Sequence, residues 1–109
     1  MQANSLDNYY KAQECYRIGD YKEGLKYALA QLERDLEFYG RHSVEVARDY
    51  NSVGIFYSKL KEYKKAIDYL EGALETREAL LGKNSYDTNL TRQNVEYLKS
   101  IYQKEPSLV

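Results

Sequence analysis

The sequence predicts an all-α fold built from antiparallel helix pairs, and three observations lead to this prediction. Apolar residues recur at three- and four-residue steps, one segment of the chain occurs twice, and short turn signals separate the helical segments. Strand signals are absent from the sequence. A chain of 109 residues is long enough for one core and too short for two ordinary ones, so we expect one domain.

The internal repeat appears when the sequence is shifted against itself by 42 positions. The identities at this offset are Tyr21 with Tyr63, Lys22 with Lys64, Tyr27 with Tyr69, Leu32 with Leu74, Glu33 with Glu75, Gly40 with Gly82 and Ser43 with Ser85. One helix pair therefore occurs twice. We place the first repeat at about 5–42, the second at about 43–84 and a final capping helix at about 85–103, all within one domain spanning 1–109.

Turn and capping signals divide the chain into five predicted helices: 5–18, 21–39, 43–60, 63–81 and 86–103. The first break lies at Gly19-Asp20, where glycine can take the left-handed conformation and Asp20 can cap the next helix, with Glu23 completing a capping box. The signals at the later breaks are glycines that end the second helices and serines that cap the next helix in each case: Gly40, Gly82, Ser43 and Ser85. Turns this short predict that successive helices lie antiparallel.

Small and aromatic residues predict how the helices pack. Close helix contacts are expected at Ala12, Gly24, Gly54, Ala66 and Ala73. The chain has 13 tyrosines, 2 phenylalanines and no tryptophan. Because a tyrosine hydroxyl must reach water or a partner, we expect many tyrosines at the edges of helix contacts.

The second repeat resembles the tetratricopeptide repeat. The signature positions of that family are occupied by Tyr50, Val53-Gly54, Tyr57, Tyr63, Ala66, Leu70 and Ala73. The period of 42, with Glu75-Thr76-Arg77-Glu78 and the Leu81–Ser85 segment, is similar to the long-helix variant found in kinesin light chains. This resemblance implies a right-handed α-solenoid of about two and a half repeats.

The first and last helices depart from the family pattern. Lys11 and Cys15 stand where leucine and tyrosine are expected, and we infer that the first helix lies at a solvent-facing end. Glu96 occupies the glycine position of the last helix, which is typical of a capping helix. Its predicted apolar stripe consists of Leu90, Leu98 and Ile101.

Composition and charge argue against several partners and compartments. The 16 basic and 17 acidic residues nearly balance, so nucleic acid is not an expected partner. No apolar stretch reaches the ~20 residues of a membrane helix, so we expect no membrane contact. The lone Cys15 cannot form an internal disulfide, and residues 1–8 lack a secretory signal pattern. We therefore expect a cytoplasmic protein.

No constellation of residues indicates catalysis, a metal or a cofactor. The single histidine, His42, falls in a predicted turn, far in sequence from Cys15. Cys15 lies on the inward stripe of its helix and is interpreted as a small buried thiol, with a nucleophilic role as the alternative. Carboxylates alternate with lysines along helix faces, which is typical of solvated surface. The prediction is a protein that is not an enzyme.

The resemblance implies a binding groove along the inner faces of the first helices of each pair. Residues carried over to that groove are Tyr9, Gln13, Arg48, Asn51, Ile55, Lys59, Asn94 and Tyr97. Asn51 stands where the family often has an asparagine that bonds a ligand's backbone; the alternative is that it only solvates the groove wall. Arg48, Asn51 and Ile55 share a face of the third helix, where we expect side chains that reach solvent and contribute little to folding.

Three function classes remain, in order of preference. The first is a protein-interaction scaffold that binds a peptide segment of a partner in the groove. The second is a self-assembly module that stacks through its repeat ends as a homo-oligomer, or a fragment of a larger tetratricopeptide protein. An enzyme is third. The clamp by which some family members hold chaperone tails is disfavoured, because Tyr9 and Leu90 stand where two of its lysines would be.

Overall fold

Five antiparallel helices make up the described part of the chain. The computed structural model describes residues 5–104, and these contain α1 (Asp7–Ile18), α2 (Tyr21–Tyr39), α3 (Val44–Lys59), α4 (Tyr63–Leu81) and α5 (Tyr86–Lys104), with no strand among them. Each helix packs chiefly against its neighbours in sequence. The predicted helices are confirmed, with bounds that shift by at most two residues. Residues 1–4, where the N-terminal segment was read as lacking a signal, and residues 105–109 lie outside the described part.

The turns inside the two repeats share one geometry. After α1, Gly19 has φ 84° and the N–H of Asp20 donates to the Cys15 carbonyl at 2.9 Å, which forms a Schellman motif. After α3, Lys61 takes the equivalent place with φ 64°, and the N–H of Glu62 donates to the Tyr57 carbonyl at 2.9 Å. A lysine thus occupies a left-handed position that favours glycine.

The predicted capping box at the start of α2 forms only in part. The Asp20 side chain accepts a hydrogen bond from the Glu23 N–H at 3.4 Å, as expected. The reciprocal bond from Asp20 to the Glu23 carboxylate was predicted wrongly, because the Asp20 N–H is already used in closing α1. The serine caps are confirmed: Ser43 accepts from the Val46 N–H and Ser85 from the Thr88 N–H, both at 3.1 Å.

Two glycines allow the helices to approach closely. A Cβ atom placed on Gly24 would lie 2.3 Å from the Phe56 ring of α3. A Cβ atom on Gly54 would lie 2.7 Å from Leu70 Cγ and 3.1 Å from the Ala66 carbonyl oxygen of α4. Both predicted contacts are confirmed. Gly72 differs, since a Cβ atom there would meet only the Tyr50 ring, at an ordinary 3.5 Å.

The core forms two clusters along the array. The first lies between α1, α2 and α3 and contains Ala12, Ala28, Leu32, Val46, Val53 and Phe56. The second lies between α4 and α5 and contains Ala66, Ile67, Leu70, Val95 and Leu98. Tyr57 packs against both clusters. Cys15 is buried, as predicted.

The predicted apolar stripe of α5 was wrong at Leu90. Leu98 is buried and Ile101 packs on the second cluster, but Leu90 is 42% exposed. Thr88 and Thr91 take the inward positions instead, with no exposed surface. Their hydroxyls are satisfied locally: Thr91 Oγ1 donates to the Asp87 carbonyl, and Ser85 Oγ donates to Thr88 Oγ1. The inward face of α5 is therefore polar at its start and apolar further along.

The tyrosines lie at contact edges, as predicted, since every one of the 13 retains solvent exposure. Three of them form an aromatic cluster that joins α3 and α4. The Tyr57 and Tyr69 rings are stacked with centroids 5.6 Å apart, and the Tyr50 and Tyr69 rings are tilted with centroids 5.9 Å apart. These pairs add aromatic contact between the two helices.

Candidate functional site

A groove runs across α1, α3 and α5. It consists of two adjoining cavities, of about 200 Å³ and about 320 Å³, that share Tyr16 and Ile55. The smaller cavity is lined by Gln13, Tyr16, Ser52, Ile55 and Phe56. The larger one is lined by Tyr16, Ile55, Ser58, Lys59, Leu70, Asn94, Tyr97 and Leu98. We call the two cavities together the A-helix groove, because the first helix of each pair supplies most of its wall.

Five of the eight predicted site residues line the A-helix groove. They are Gln13, Ile55, Lys59, Asn94 and Tyr97. Tyr97 is 66% exposed, and Gln13 and Lys59 are exposed as well. The structure therefore brings together side chains from three helices that are separated by many residues in sequence.

The groove has an apolar floor and polar walls. Leu70 and Leu98 lie at the floor, and both are buried in the second core cluster. Amide and hydroxyl groups of Gln13, Ser52, Ser58 and Asn94 occupy the walls. Among residues 5–104, Lys59 is the only charged residue of the lining, and its Nζ lies 5.7 Å from the centroid of the Tyr16 ring.

Tyr16 is the main groove residue that sequence reasoning missed. Its ring is 40% exposed and packs edge-on against Phe56, with the ring centroids 5.9 Å apart. The 42-residue offset pairs Tyr16 with Ser58, which also lines the groove. Tyr16 also stands three positions after Gln13, so the two share a face of α1, and this helical spacing was the signal that could have found it.

Arg48 does not line the groove and is not a free surface cation. Its Nη2 donates to Asp35 Oδ2 at 2.8 Å and its Nε donates to Asp49 Oδ1 at 3.1 Å. Asp35 has no exposed surface and Asp49 is 1% exposed. The expectation that Arg48 contributes little to folding was therefore wrong, because its guanidinium is the hydrogen-bonding partner of two buried carboxyl groups.

Tyr9 and Asn51 lie beside Arg48, outside the two cavities. The Arg48 guanidinium carbon lies 4.7 Å from the centroid of the Tyr9 ring, and Gln13 Nε2 donates to Tyr9 Oη at 3.1 Å. Asn51 is half-buried, and its Oδ1 is buried and accepts no hydrogen bond from the described residues. Gln13 thus links this polar group to the groove.

The interface between α4 and α5 has different residues at the positions that correspond to Asp35, Arg48 and Asp49. The 42-residue offset pairs Asp35 with Arg77, Asp49 with Thr91 and Arg48 with Leu90. At this junction Arg77 Nη1 donates to Thr91 Oγ1 at 2.8 Å. Burial lowers the pKa of the Arg77 guanidinium, against the opposing effects of Asp87 and Tyr9. The α2–α3 interface therefore has a buried acidic pair, whereas the α4–α5 interface has a half-buried arginine. We call them the acidic junction and the basic junction.

Neither a metal-binding cluster nor a reactive thiol is found among the described residues. No group of three or more His, Cys, Asp or Glu side chains in residues 5–104 is placed to hold a metal ion. Burial raises the pKa of the Cys15 thiol, and the nearby carboxylates of Asp20, Glu23 and Glu14 add to this. The thiol is therefore held in the form that is a poor nucleophile. His42 is exposed in the turn before α3.

Helix pairs of one repeated geometry, stacked in sequence order and carrying a groove along their first helices, define a helical-repeat protein. A family model of the tetratricopeptide repeat matches residues 3–79, which is more than half of the chain. The chain belongs to the tetratricopeptide repeat family, a family of non-catalytic repeat scaffolds that generally mediate protein–protein interactions. The match is consistent with the long-helix variant. No curated protein matches the chain.

In the part of the chain that the structure describes, no helix combines the length and the apolar character that a membrane span requires.

Proposed function

We propose that this protein is an interaction scaffold that holds a peptide segment of a partner protein in the A-helix groove. The observation that carries the proposal is the composition of that groove. An apolar floor suits a side-chain anchor of the segment, while the amides and hydroxyls of the walls suit the N–H and C=O groups of its backbone. Lys59 would pair with an acidic group of the segment.

The dimensions and exposure of the groove support a peptide more than a small molecule. The larger cavity, about 320 Å³, lies at the lower limit of sites that enclose drug-sized ligands. The groove instead continues across three helices, which gives an extended chain several contacts in a row. As part of the same proposal, the protein acts in the cytoplasm, is not an enzyme and binds neither nucleic acid nor membranes.

The test is affinity capture with matched variants. The groove variant carries Lys59→Glu and Tyr97→Ala, both at exposed lining positions. The control variant carries Lys26→Glu and Phe38→Ala, both on α2, which reverse one charge and remove one exposed aromatic ring outside the groove. Immobilised parent protein would capture partners from an extract of the source cell, and calorimetry would give the dissociation constant for each variant.

We expect the groove variant to weaken binding by roughly tenfold or more, because exposed aromatic and charged residues dominate such interfaces. The control variant should bind as the parent does. Equal affinity of parent and groove variant for the captured partner would show that binding takes place elsewhere on the molecule.

Self-assembly is a second candidate, favoured by apolar side chains around the α4–α5 turn. Leu80 is 46% exposed, Leu81 40%, Tyr86 78% and Leu90 42%. Stacking of a second copy over this end would cover them. Light scattering over a concentration series separates the two candidates, since stacking requires a mass that grows with concentration.

A further inference from the structure

A buried polar cluster joins the beginning of α1 to α2 and α3. Its members are Gln31 and Asp35 on α2, Arg48 and Asp49 on α3, and Tyr9 on α1. Gln31 is 1% exposed, Asp35 0% and Asp49 1%. We call this group the acid-pair cluster. It lies beside the A-helix groove and takes no part in lining it.

The acid-pair cluster holds two carboxyl groups against one cation. Arg48 donates to both, and Gln31 Nε2 also donates to Asp35 Oδ2 at 3.1 Å. The remaining oxygens, Asp35 Oδ1 and Asp49 Oδ2, are buried and receive no hydrogen bond from the N–H and O–H groups of the described residues. Two buried carboxylates that share one guanidinium cannot both remain charged at low cost, whereas one proton lets Asp49 and Asp35 form a hydrogen bond with each other.

The charge environment agrees with this geometry. Burial, and then the hydrogen bond to Asp35, raise the pKa of Asp49 to about 8, against the opposing effect of Arg48. The groups acting on Asp49 come from α2 (Asp35) and from α3 itself (Arg48), while α1 contributes the Tyr9 ring that covers Arg48. Among the described residues, α4 adds no charged group to those that act on Asp49.

The cluster also holds the start of α1 in place. The Tyr9 N–H donates to Gln31 Oε1 at 3.1 Å, and Gln31 Nε2 donates to the Ser5 carbonyl at 3.0 Å. Gln31 therefore connects the backbone of the first turn of α1 to Asp35. Tyr9 in turn accepts a hydrogen bond from Gln13, which lines the groove.

We propose that one proton shared by Asp35 and Asp49 locks the start of α1 onto α2 and α3, and that loss of this proton at alkaline pH loosens the α1 wall of the A-helix groove. Without the proton, two buried carboxylates face one guanidinium, and their repulsion acts on Gln31 and on the Arg48–Tyr9 contact. The effect of this proton on peptide binding in the groove rests on the proposed function. The proton shared by Asp35 and Asp49, and its effect on α1, do not.

The sign of the pH dependence is set by proton binding. An aspartate in the unfolded chain titrates near 3.9, whereas the raised pKa of Asp49 keeps its proton in the folded chain up to about pH 8. Between these limits the folded state binds a proton that the unfolded state lacks, so the contribution of Asp49 to stability falls as pH rises. Above about pH 8 the proton leaves the folded state as well, and the lock opens.

The test uses the free protein and needs no partner. NMR would follow the carboxyl carbon of Asp49 and the exchange protection of the Tyr9 amide from pH 5 to pH 9, after correction for intrinsic exchange. The titration is removed by Asp49→Asn, whose amide keeps a donor towards Asp35 at every pH. The control is Asp68→Asn, because Asp68 is an exposed carboxylate paired with Lys64.

We expect the parent and Asp68→Asn to show a carboxyl midpoint close to 8 and a loss of Tyr9 protection of roughly tenfold with the same midpoint. Tyr9 protection in Asp49→Asn should not depend on pH. If that variant does not fold, Asp35→Asn makes the same comparison. An Asp49 midpoint near its ordinary value, or the same Tyr9 transition in the parent and in Asp49→Asn, would overturn the proposal. These outcomes do not depend on whether the groove binds a peptide.

Discussion

Leu70 of α4 fills the space that a side chain on Gly54 of α3 would need. The Leu70 side chain is 1% exposed, and its Cγ would lie 2.7 Å from a Cβ atom on Gly54. The Ala66 carbonyl oxygen, one turn earlier on α4, would lie 3.1 Å from the same Cβ atom. The absence of a side chain at position 54 is therefore what sets the distance between the two helices.

Replacing Gly54 with leucine should destabilise the fold by about 1–3 kcal/mol or more, because the new side chain overpacks this contact. Urea unfolding followed by circular dichroism would measure the change in the free energy of unfolding. A variant as stable as the parent would mean that α3 and α4 can separate at no cost.

Gly72→Ala should have the opposite effect and stabilise the protein by roughly 0.5–1 kcal/mol. Alanine is the better helix former, and its Cβ would make an ordinary 3.5 Å contact with the Tyr50 ring. The same urea titration would show the gain. A loss of stability would indicate that the pocket beside Tyr50 does not tolerate even a methyl group.

Lys61→Gly should stabilise the protein by roughly 0.5–1 kcal/mol. The change removes the steric strain of a side chain in the left-handed conformation, and this gain exceeds the cost of a more flexible unfolded chain. The 42-residue offset places Lys61 opposite Gly19, which has φ 84°. Gly19→Lys is therefore the matched reverse change and should destabilise. Thermal melts of both variants would check this, and shifts of the same sign would contradict the shared turn geometry.

Arg48→Ala should destabilise the protein by about 2–3 kcal/mol, because it leaves Asp35 and Asp49 buried without their cation. We expect a loss of stability at the lower end of the range for buried ion pairs that lose one partner, because the Arg48 side chain is 27% exposed. Lys64→Ala, which breaks an exposed pair on α4, serves as the control and should leave stability nearly unchanged. A parent-like melting temperature for Arg48→Ala would show that Asp35 and Asp49 do not depend on its charge.

The helices and their ends were predictable because their signals are local. A serine before α3 and another before α5 accept the hydrogen bonds expected of caps, and Gly40 and Gly82 end the preceding helices. Lys61 was not predictable as a left-handed residue, because nothing in a lysine indicates that conformation. Its left-handed conformation could be inferred only from the alignment of the two repeats, which pairs Lys61 with Gly19.

The groove and the buried polar residues were predictable to different degrees. The family resemblance placed Ile55, Asn94 and Tyr97 along one surface, and all three line the larger cavity. Periodicity could not distinguish Arg48 from an exposed cation, since its partner Asp35 comes from another helix, 13 positions away. The buried Thr91 was missed for a related reason: its hydroxyl is satisfied by its own helix and by Arg77.

The alternation of an acidic and a basic junction has a consequence for the order of the repeats. Asp35 meets Arg48 where α2 packs on α3, whereas Arg77 meets Thr91 where α4 packs on α5. If α4 took the place of α2 against α3, as in a chain whose repeats were shuffled, Arg77 would stand beside Arg48, and Asp49 would be the one carboxyl group of the cluster left to neutralise both. One of the two guanidinium groups would then lack an acidic partner, at a cost of several kcal/mol. Although the two helix pairs share a shape, their buried charges differ, so one pair cannot replace the other. Residues in the interior of the protein therefore specify the order in which the repeats pack.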